Sequence, residues 1–396
     1  MSLDKQNLFL ISMITIATVP LGGMGIDISV PSLPNMTEYF QTHKSLIQMS
    51  VGMYILGMGI MQMVVGPISD SKGRRKLILM ALTTYCITSS FIALSHKVVD
   101  LLLLRFIEGL AFGGTQVCLR AVAVDLFTGD KLYKVVNYMS TAWAISSIIS
   151  PIIGAYLQTL FGWQASFYFL AIYSGLMVAL IFIFVPETIK ERNPFNLEHI
   201  IFNYKTILSN KNFLAGLICA SSVYSLIIVF AVASPFLIQT VLKYSVTQFG
   251  SIALLTGIAF FCGTIMNRLL INISSSTKMN YSLFIMFIDI LIMLLVSPFT
   301  NNIIFITVTN FILFYLIGIL FPNSFSNNMK LFPKTPGIAG GIMGSSLLIF
   351  GTVFGSGLGT LLQGKTQMPI AFGYLCLFIM CVSSSLMYKT PRQSSH

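Results

Sequence analysis

The chain has 396 residues, 55% of them hydrophobic and only 9% charged, and its mean hydropathy is +0.85. A soluble domain carries roughly 25% charge, so a water-soluble globule, a disordered chain and a collagen-like fibre are excluded. The net charge of +11 does not imply nucleic acid, because the basic residues sit in short gaps between apolar blocks and not on one face of a soluble domain.

Crossing a bilayer takes about 20 mainly apolar residues. The apolar runs predict twelve helical spans, at approximately 8–31, 45–66, 77–95, 99–124, 135–158, 163–185, 212–239, 248–270, 280–298, 302–325, 337–362 and 368–388. No short signal peptide with a cleavage site precedes the first, which is therefore expected to be retained. The longest polar interruption, 186–211, holds Glu187, Lys190, Glu191, Arg192, Glu198, Lys205 and Lys211. The expected architecture is an all-α integral membrane protein: a six-helix bundle over 1–185, a cytoplasmic linker over 186–211, and a second six-helix bundle over 212–396.

Orientation follows the distribution of Lys and Arg. With the N-terminus inside, seventeen of the 23 basic residues fall on the inner side. Only Lys44, Lys97, Lys243 and Lys365 fall outside, and Arg105 and Arg120 lie within a span. Both termini are expected in the cytoplasm. The cysteines (Cys86, Cys118, Cys219, Cys262, Cys376 and Cys381) all lie in apolar blocks without a CxxC pair, and read as small buried hydrophobes. His43, His96, His199 and His396 lie in loops or at the end, and no HExxH, GxSxG or Walker motif occurs. Neither an enzyme nor a metal or cofactor is expected.

A charge in mid-membrane costs about 2.5–3.5 kcal/mol on insertion scales and should face a cavity or a partner. Four residues meet that description: Asp27, Arg105, Glu108 and Asp289. Asp27 falls in the outer half of span one, and Arg105 and Glu108 in the outer half of span four, so the three suggest a shared polar pocket. Arg105 and Glu108, at i and i+3, share a helix face, and mutual neutralisation is the plain alternative. Asp27 has no basic residue near it in sequence, and a carboxylate partly withdrawn from water exchanges protons nearer neutral pH. Asp289, within Phe287-Ile288-Asp289-Ile290-Leu291, reads as a local structural acid hydrogen-bonded to a neighbouring helix, with a coupling role as the less favoured alternative. Arg120 and Asp125 are expected to form a network at the inner face.

The loop between spans two and three reads Gly66-Pro67-Ile68-Ser69-Asp70-Ser71-Lys72-Gly73-Arg74-Arg75-Lys76. Gly66 permits close helix approach and Gly73 a tight turn. Asp70 is suited to cap a neighbouring helix N-terminus, such as that of span eleven near Gly337. Through Gly66, Asp70, Gly73, Arg74 and Arg75 the stretch resembles the signature loop of the major facilitator superfamily, G-x-L-a-D-r-x-G-r-k, with Ile68 for the Leu and Ser71 for the usual base. That resemblance implies an inner gate joining these residues to an acid after span four, the place of Asp125. Two further stretches resemble the twelve-span drug:proton antiporters of bicyclomycin/chloramphenicol-resistance type. Asp27-Ile28-Ser29-Val30-Pro31-Ser32-Leu33-Pro34 is similar to D-x-Y-L-P-A-L-P. Arg105-Phe106-Ile107-Glu108-Gly109 is similar to R-x-x-Q-G, with Glu for Gln. Gly318 through Gly341, with Phe321-Pro322-Asn323 and Pro333, resembles the same family's passage from span ten to eleven. The span-five motif G-x-x-x-G-P-x-x-G-G is reduced here to Ser146, Ser150, Pro151, Gly154 and Ala155, and Val19 stands where some relatives carry a second acid.

The resemblance implies a proton-coupled exporter of small drug-like or secreted compounds working by alternating access, driven by the proton gradient with no cofactor. Asp27, Arg105 and Glu108 are the candidate coupling residues, Glu108 as a second titrating site. A substrate pocket is expected to draw on Met53, Tyr54, Met58, Gln62, Gln116 and Trp143 in the first half and Tyr224, Gln239, Asn310 and Tyr315 in the second. The expected partners are a small molecule, protons and the lipid bilayer of a bacterial inner membrane, with the chain acting as a monomer. A proton symporter importing a nutrient, and a dedicated exporter of a siderophore or other metabolite, are the alternatives.

Overall fold

A computed structural model describes residues 5–189, 197–332, 336–362 and 364–387, with the side chains of 5, 197–200, 203, 336 and 337 left aside. All regular structure among the described residues is helical. Eleven segments are long and apolar enough to cross a membrane by length and composition. The expected span four is present as Val98–Leu126, 29 residues long, although it is not among those eleven.

Span one departs from the single rod expected at 8–31. It is cut into Lys5–Thr18, Pro20–Asp27, a 3-10 turn at Val30–Ser32, and Leu33–Tyr39. Proline explains each break, since its ring and missing N–H forbid the preceding helical bonds and suit a helix start. Pro20, Pro31 and Pro34 all stand at the first or second position of a piece. The cuts leave Asp27 as the last residue of its helix.

Span two also differs. It runs Lys44–Lys72 and takes in most of the stretch expected to be loop. Only Gly73, with φ +98, interrupts the chain before span three begins as Arg74–Ala93. Span five is Gly129–Phe161 and span six Gln164–Phe184. The linker contains a helix of its own, Leu197–Leu208. Span seven is Lys211–Pro235 continued by a π turn, Phe236–Val241, and span eight is Val246–Leu269. Spans nine, ten and twelve are Ser275–Val296, Ile303–Met329 and Met368–Met387. Span eleven is Pro336–Phe350, a π turn Gly351–Ser356, and Gly357–Leu361. Asn302 caps span ten, its Oδ1 accepting from the Ile304 N–H at 2.8 Å.

The chain divides into two compact units, one of 1–196 with 231–258 and one of 197–230 with 259–396. In the first, spans two and four cross at backbone contact. A Cβ on Gly109 would lie 2.0 Å from the Tyr54 carbonyl oxygen, one on Gly113 2.4 Å from that of Met58, and one on Gly57 2.2 Å from that of Phe106. Only hydrogen side chains allow such an approach, the usual device where lipid gives no hydrophobic drive to helix association. Gly109→Ala is therefore expected to push the spans apart at an overpacking cost of about 1–3 kcal/mol. A lowered melting temperature in detergent would register it, and an unchanged one would contradict the crossing.

In the second unit, Ile207, Phe213, Leu217, Ala220, Ala339, Ile342, Met343 and Leu347 form a buried cluster. Large apolar residues also cover the exterior, for example Phe161, Ile172, Phe182 and Ile183. Such a surface is a liability in water and what hydrocarbon requires.

Candidate functional site

The charges expected to share a pocket separate into two environments within the first unit. Arg105 and Glu108 on span four are both buried, and Nη1 of Arg105 donates to Oε2 of Glu108 at 2.6 Å. The other guanidinium donors are also used. Nη2 donates to the Gly25 carbonyl at 2.6 Å and Nε to the Ser50 carbonyl at 3.4 Å. The guanidinium lies over the Tyr54 ring at 4.4 Å and near that of Phe167 at 5.6 Å. Oε1 of Glu108 accepts from the Ser89 hydroxyl. Tyr54 donates to the Gly22 carbonyl at 3.4 Å and Tyr85 to that of Leu21 at 3.2 Å. The Pro20–Asp27 helix is thus pinned by three donors from spans two, three and four.

Asp27 makes no hydrogen bond or ion pair with this cluster among the described residues, though it lies within electrostatic reach of Tyr54. It is half-buried, takes part in no ion pair among the described residues, and meets the Ser147 hydroxyl of span five. Span five also passes in contact with the Ile28 carbonyl at Gly154. The net result is a fully compensated Arg–Glu pair beside an uncompensated carboxylate.

The expected pocket residues divide likewise. Gln62 and Gln116 come together, Nε2 of the first donating to Oε1 of the second at 2.5 Å. Tyr54 belongs to the Arg105 cluster, and Met58 is buried at the crossing of spans two and four, so neither is open to a substrate here. Met53 is half-buried. Trp143 is half-buried with its ring 6.0 Å from that of Phe112. Gln239 donates to the Pro31 carbonyl of span one at 2.9 Å. In the second unit, Tyr224 packs 6.1 Å from the Phe321 ring. Tyr315 is half-buried with its carbonyl against Gly263. Asn310 is buried and accepts from the Tyr374 hydroxyl at 2.9 Å.

At the other end of spans two and four lies the gate motif. Arg74 pairs with Asp70 and, at 3.3 Å, with Asp125, and it also donates to Ser69. Arg75 donates to the Phe182 carbonyl at 2.6 Å and lies over that ring. Asp70 is occupied by Arg74. The partner expected for it, the start of span eleven near Gly337, lies outside the residues whose side chains are described. A Cβ on Gly66 would meet no described atom within 4 Å, so the close approach expected there is not seen among the described residues. Arg120 is exposed and forms no described bond to Asp125, so the expected Arg120–Asp125 network gives way to an Arg74–Asp125–Thr188 one, with Thr188 donating to Asp125 at 2.9 Å.

The helix-capping acid sought at Asp70 is instead Glu187, just after span six. Its carboxylate accepts from the N–H groups of Arg74 at 2.9 Å, Arg75 at 3.3 Å, Thr188 at 3.0 Å and Ile189 at 3.3 Å. Negative charge belongs at a helix start. Gly73 makes room for it, since a Cβ there would sit 2.4 Å from Oε2 of Glu187. The signal available in the sequence was parity: an acid directly after span six returns to the side where span three begins. Ser147, Tyr85 and Ser89 were also missed, being common polar residues in apolar runs. Glu187→Ala is expected to free all four donors and cost about 1 kcal/mol, the scale of a lost helix cap. A melting temperature equal to wild type would contradict that assignment.

The Major Facilitator Superfamily is matched over residues 17–360. A bicyclomycin resistance protein homolog of Haemophilus influenzae is 25% identical over 359 residues, covering 88% of this chain and 88% of its own. Multidrug resistance protein D of Escherichia coli (strain K12) is 26% identical over 342 residues, covering 86% of each. Among solved structures, that of a D-xylose-proton symporter superposes with a TM-score of 0.76 over 98% of each chain at 15% identity, a likeness of fold.

Proposed function

The chain belongs to the Major Facilitator Superfamily, and from that premise we propose that this integral membrane transporter is a proton-coupled exporter of small neutral or cationic compounds, resident in a bacterial inner membrane as a monomer with both termini inside. The relatives named for drug resistance support export over import. The observation that carries the coupling is the state of Asp27: a half-buried acid without an ion pair, at a proline-made break in span one, beside Ser147.

The cycle needs one group that exchanges a proton for cargo. Facing the cytoplasm, Asp27 gives up its proton as cargo binds. The site then comes to face the other side of the membrane, as in alternating-access transporters. Facing outward, Asp27 takes a proton, cargo leaves, and the neutral site returns. Arg105 is excluded as an anion receptor, because Glu108, Gly25 and Ser50 already take its donors. The charge left for cargo is therefore that of Asp27, which favours a cation or a neutral molecule over an anion. A single proton crossing about 150 mV supplies about 3.5 kcal/mol, enough for a few-hundred-fold gradient of neutral cargo.

The test is transport in everted vesicles with ethidium as a cationic probe and fluorescein as an anionic one. The reading expects ethidium to accumulate when the lumen is acidified, and fluorescein not to. Accumulation on imposing the opposite gradient would instead establish the importing symporter.

A further inference from the structure

Outside the site described, the second unit holds one acid in the body of a span. Asp289, on span nine, is 4% exposed, and its Oδ2 is buried without a hydrogen-bond partner among the described residues. Its neighbours Phe287, Ile288, Leu291 and Ile292 are exposed, so the acid points away from the lipid-facing side of its helix. Spans ten and twelve pack against span nine. They contribute a buried polar group in two linked pairs. The Tyr374 hydroxyl of span twelve donates to Oδ1 of Asn310 at 2.9 Å. Nε2 of Gln367, in the loop before span twelve, donates to Thr309 at 3.2 Å, leaving the buried Oε1 of Gln367 without a described partner. Tyr374 lies within electrostatic reach of Asp289.

The facing groups can be gone through element by element. Span ten carries no charged residue, and its described bonds to span nine include those of Asn323 and Asn327 to Ser275. Span twelve offers Tyr374, Cys376 and Cys381, and no charge; the Cys381 thiol is against Cys219. On span nine itself Tyr281 is exposed. Lys278 lies eleven residues earlier, about 16 Å along the helix, with its Nζ on Asn267 at 2.8 Å. Asp289 therefore has no counter-ion from any of these three helices. An ionised carboxylate so placed would bear its full desolvation cost, whereas the same group with a proton on it is only a buried polar side chain. The Gln367–Thr309 and Asn310–Tyr374 pairs lie on the two helices that pack against span nine and the loop between them, with Tyr374 within electrostatic reach of the acid.

We propose that Asp289 is a second, exchangeable proton-binding site, buried where span nine packs against spans ten and twelve and carrying a proton in the conformation described. It is separate from Asp27 and does not depend on the direction or cargo of transport. The exchange adds a proton to a carboxylate oxygen from water and returns it there, with no other bond made or broken.

Infrared difference spectroscopy on the purified full-length protein tests this, with pH as the only variable. The spectrum of wild type minus Asp289→Asn should contain the carbonyl band of a protonated carboxyl at acid pH, and that band should fade into carboxylate bands as the pH is raised. Asp27→Asn should leave this difference in place. Asp289→Glu should restore a titrating band at a shifted frequency, which guards against misfolding of the Asn variant. A difference spectrum with no protonated-carboxyl band overturns the proposal. So does a band that stays constant across the pH range, which would make Asp289 a fixed neutral acid.

Discussion

Asp27→Asn is expected to reduce proton-driven accumulation from about a few-hundred-fold, the ceiling for a single proton, to about one. The amide keeps the size of the side chain and its contact with Ser147 but has no proton to exchange. Insertion and folding should survive, because the Pro20–Asp27 helix is held by Arg105, Tyr54 and Tyr85 and not by Asp27 itself. Passive exchange of labelled for unlabelled cargo should persist. Binding of a cationic probe should weaken in wild type as the pH falls, since protons and cargo compete for one carboxylate, and become flat with pH in the variant. Accumulation at the wild-type level by Asp27→Asn would remove this residue from the coupling step.

Glu108→Ala should act on stability. Removing one partner of a buried ion pair leaves the other uncompensated, at about 3–5 kcal/mol. The variant strands Arg105 on two backbone carbonyls and also takes the acceptor from Ser89. Arg105→Ala strands Glu108 in the same way. The double variant should lose much less than the sum of the two, since it leaves no lone charge. Melting temperatures in detergent read this cycle; additive losses would mean the pair does not act as one. Glu108→Gln should leave proton stoichiometry unchanged, because Arg105 at 2.6 Å favours the anion of Glu108; a loss of one proton per cycle would make Glu108 a second titrating site.

Much of the architecture was legible because bilayer thickness imposes its length on every apolar run. The charged span four was located by its flanking apolar residues despite Arg105 and Glu108. Legibility failed where proline or glycine acts at one residue. Pro20 cuts a continuous apolar run that hydropathy reads as unbroken, and Gly73 alone turns the chain where an eleven-residue loop was expected. In the site, Arg105 and Glu108 could be paired by their i, i+3 spacing. Their separation from Asp27 could not be foreseen, since it depends on which backbone carbonyls spans one and two bring to the guanidinium. Glu187 was overlooked for a related reason. Two of its partners, the main-chain N–H groups of Arg74 and Arg75, lie more than a hundred positions earlier in the chain, and main-chain groups leave no mark in residue type.

The glycine contact between spans two and four has a mechanical consequence. Tyr54 and Asp70 are sixteen residues apart on one continuous helix, about 24 Å, with the Arg105 cluster near one end and the Arg74 salt bridges at the other. Span four runs alongside from Arg105 to Asp125, twenty residues or about 30 Å. Two rods whose main chains touch have little slack between them, so they behave as a single lever arm. A tilt begun at the Arg105 end is delivered at the far tip as a tug on Arg74.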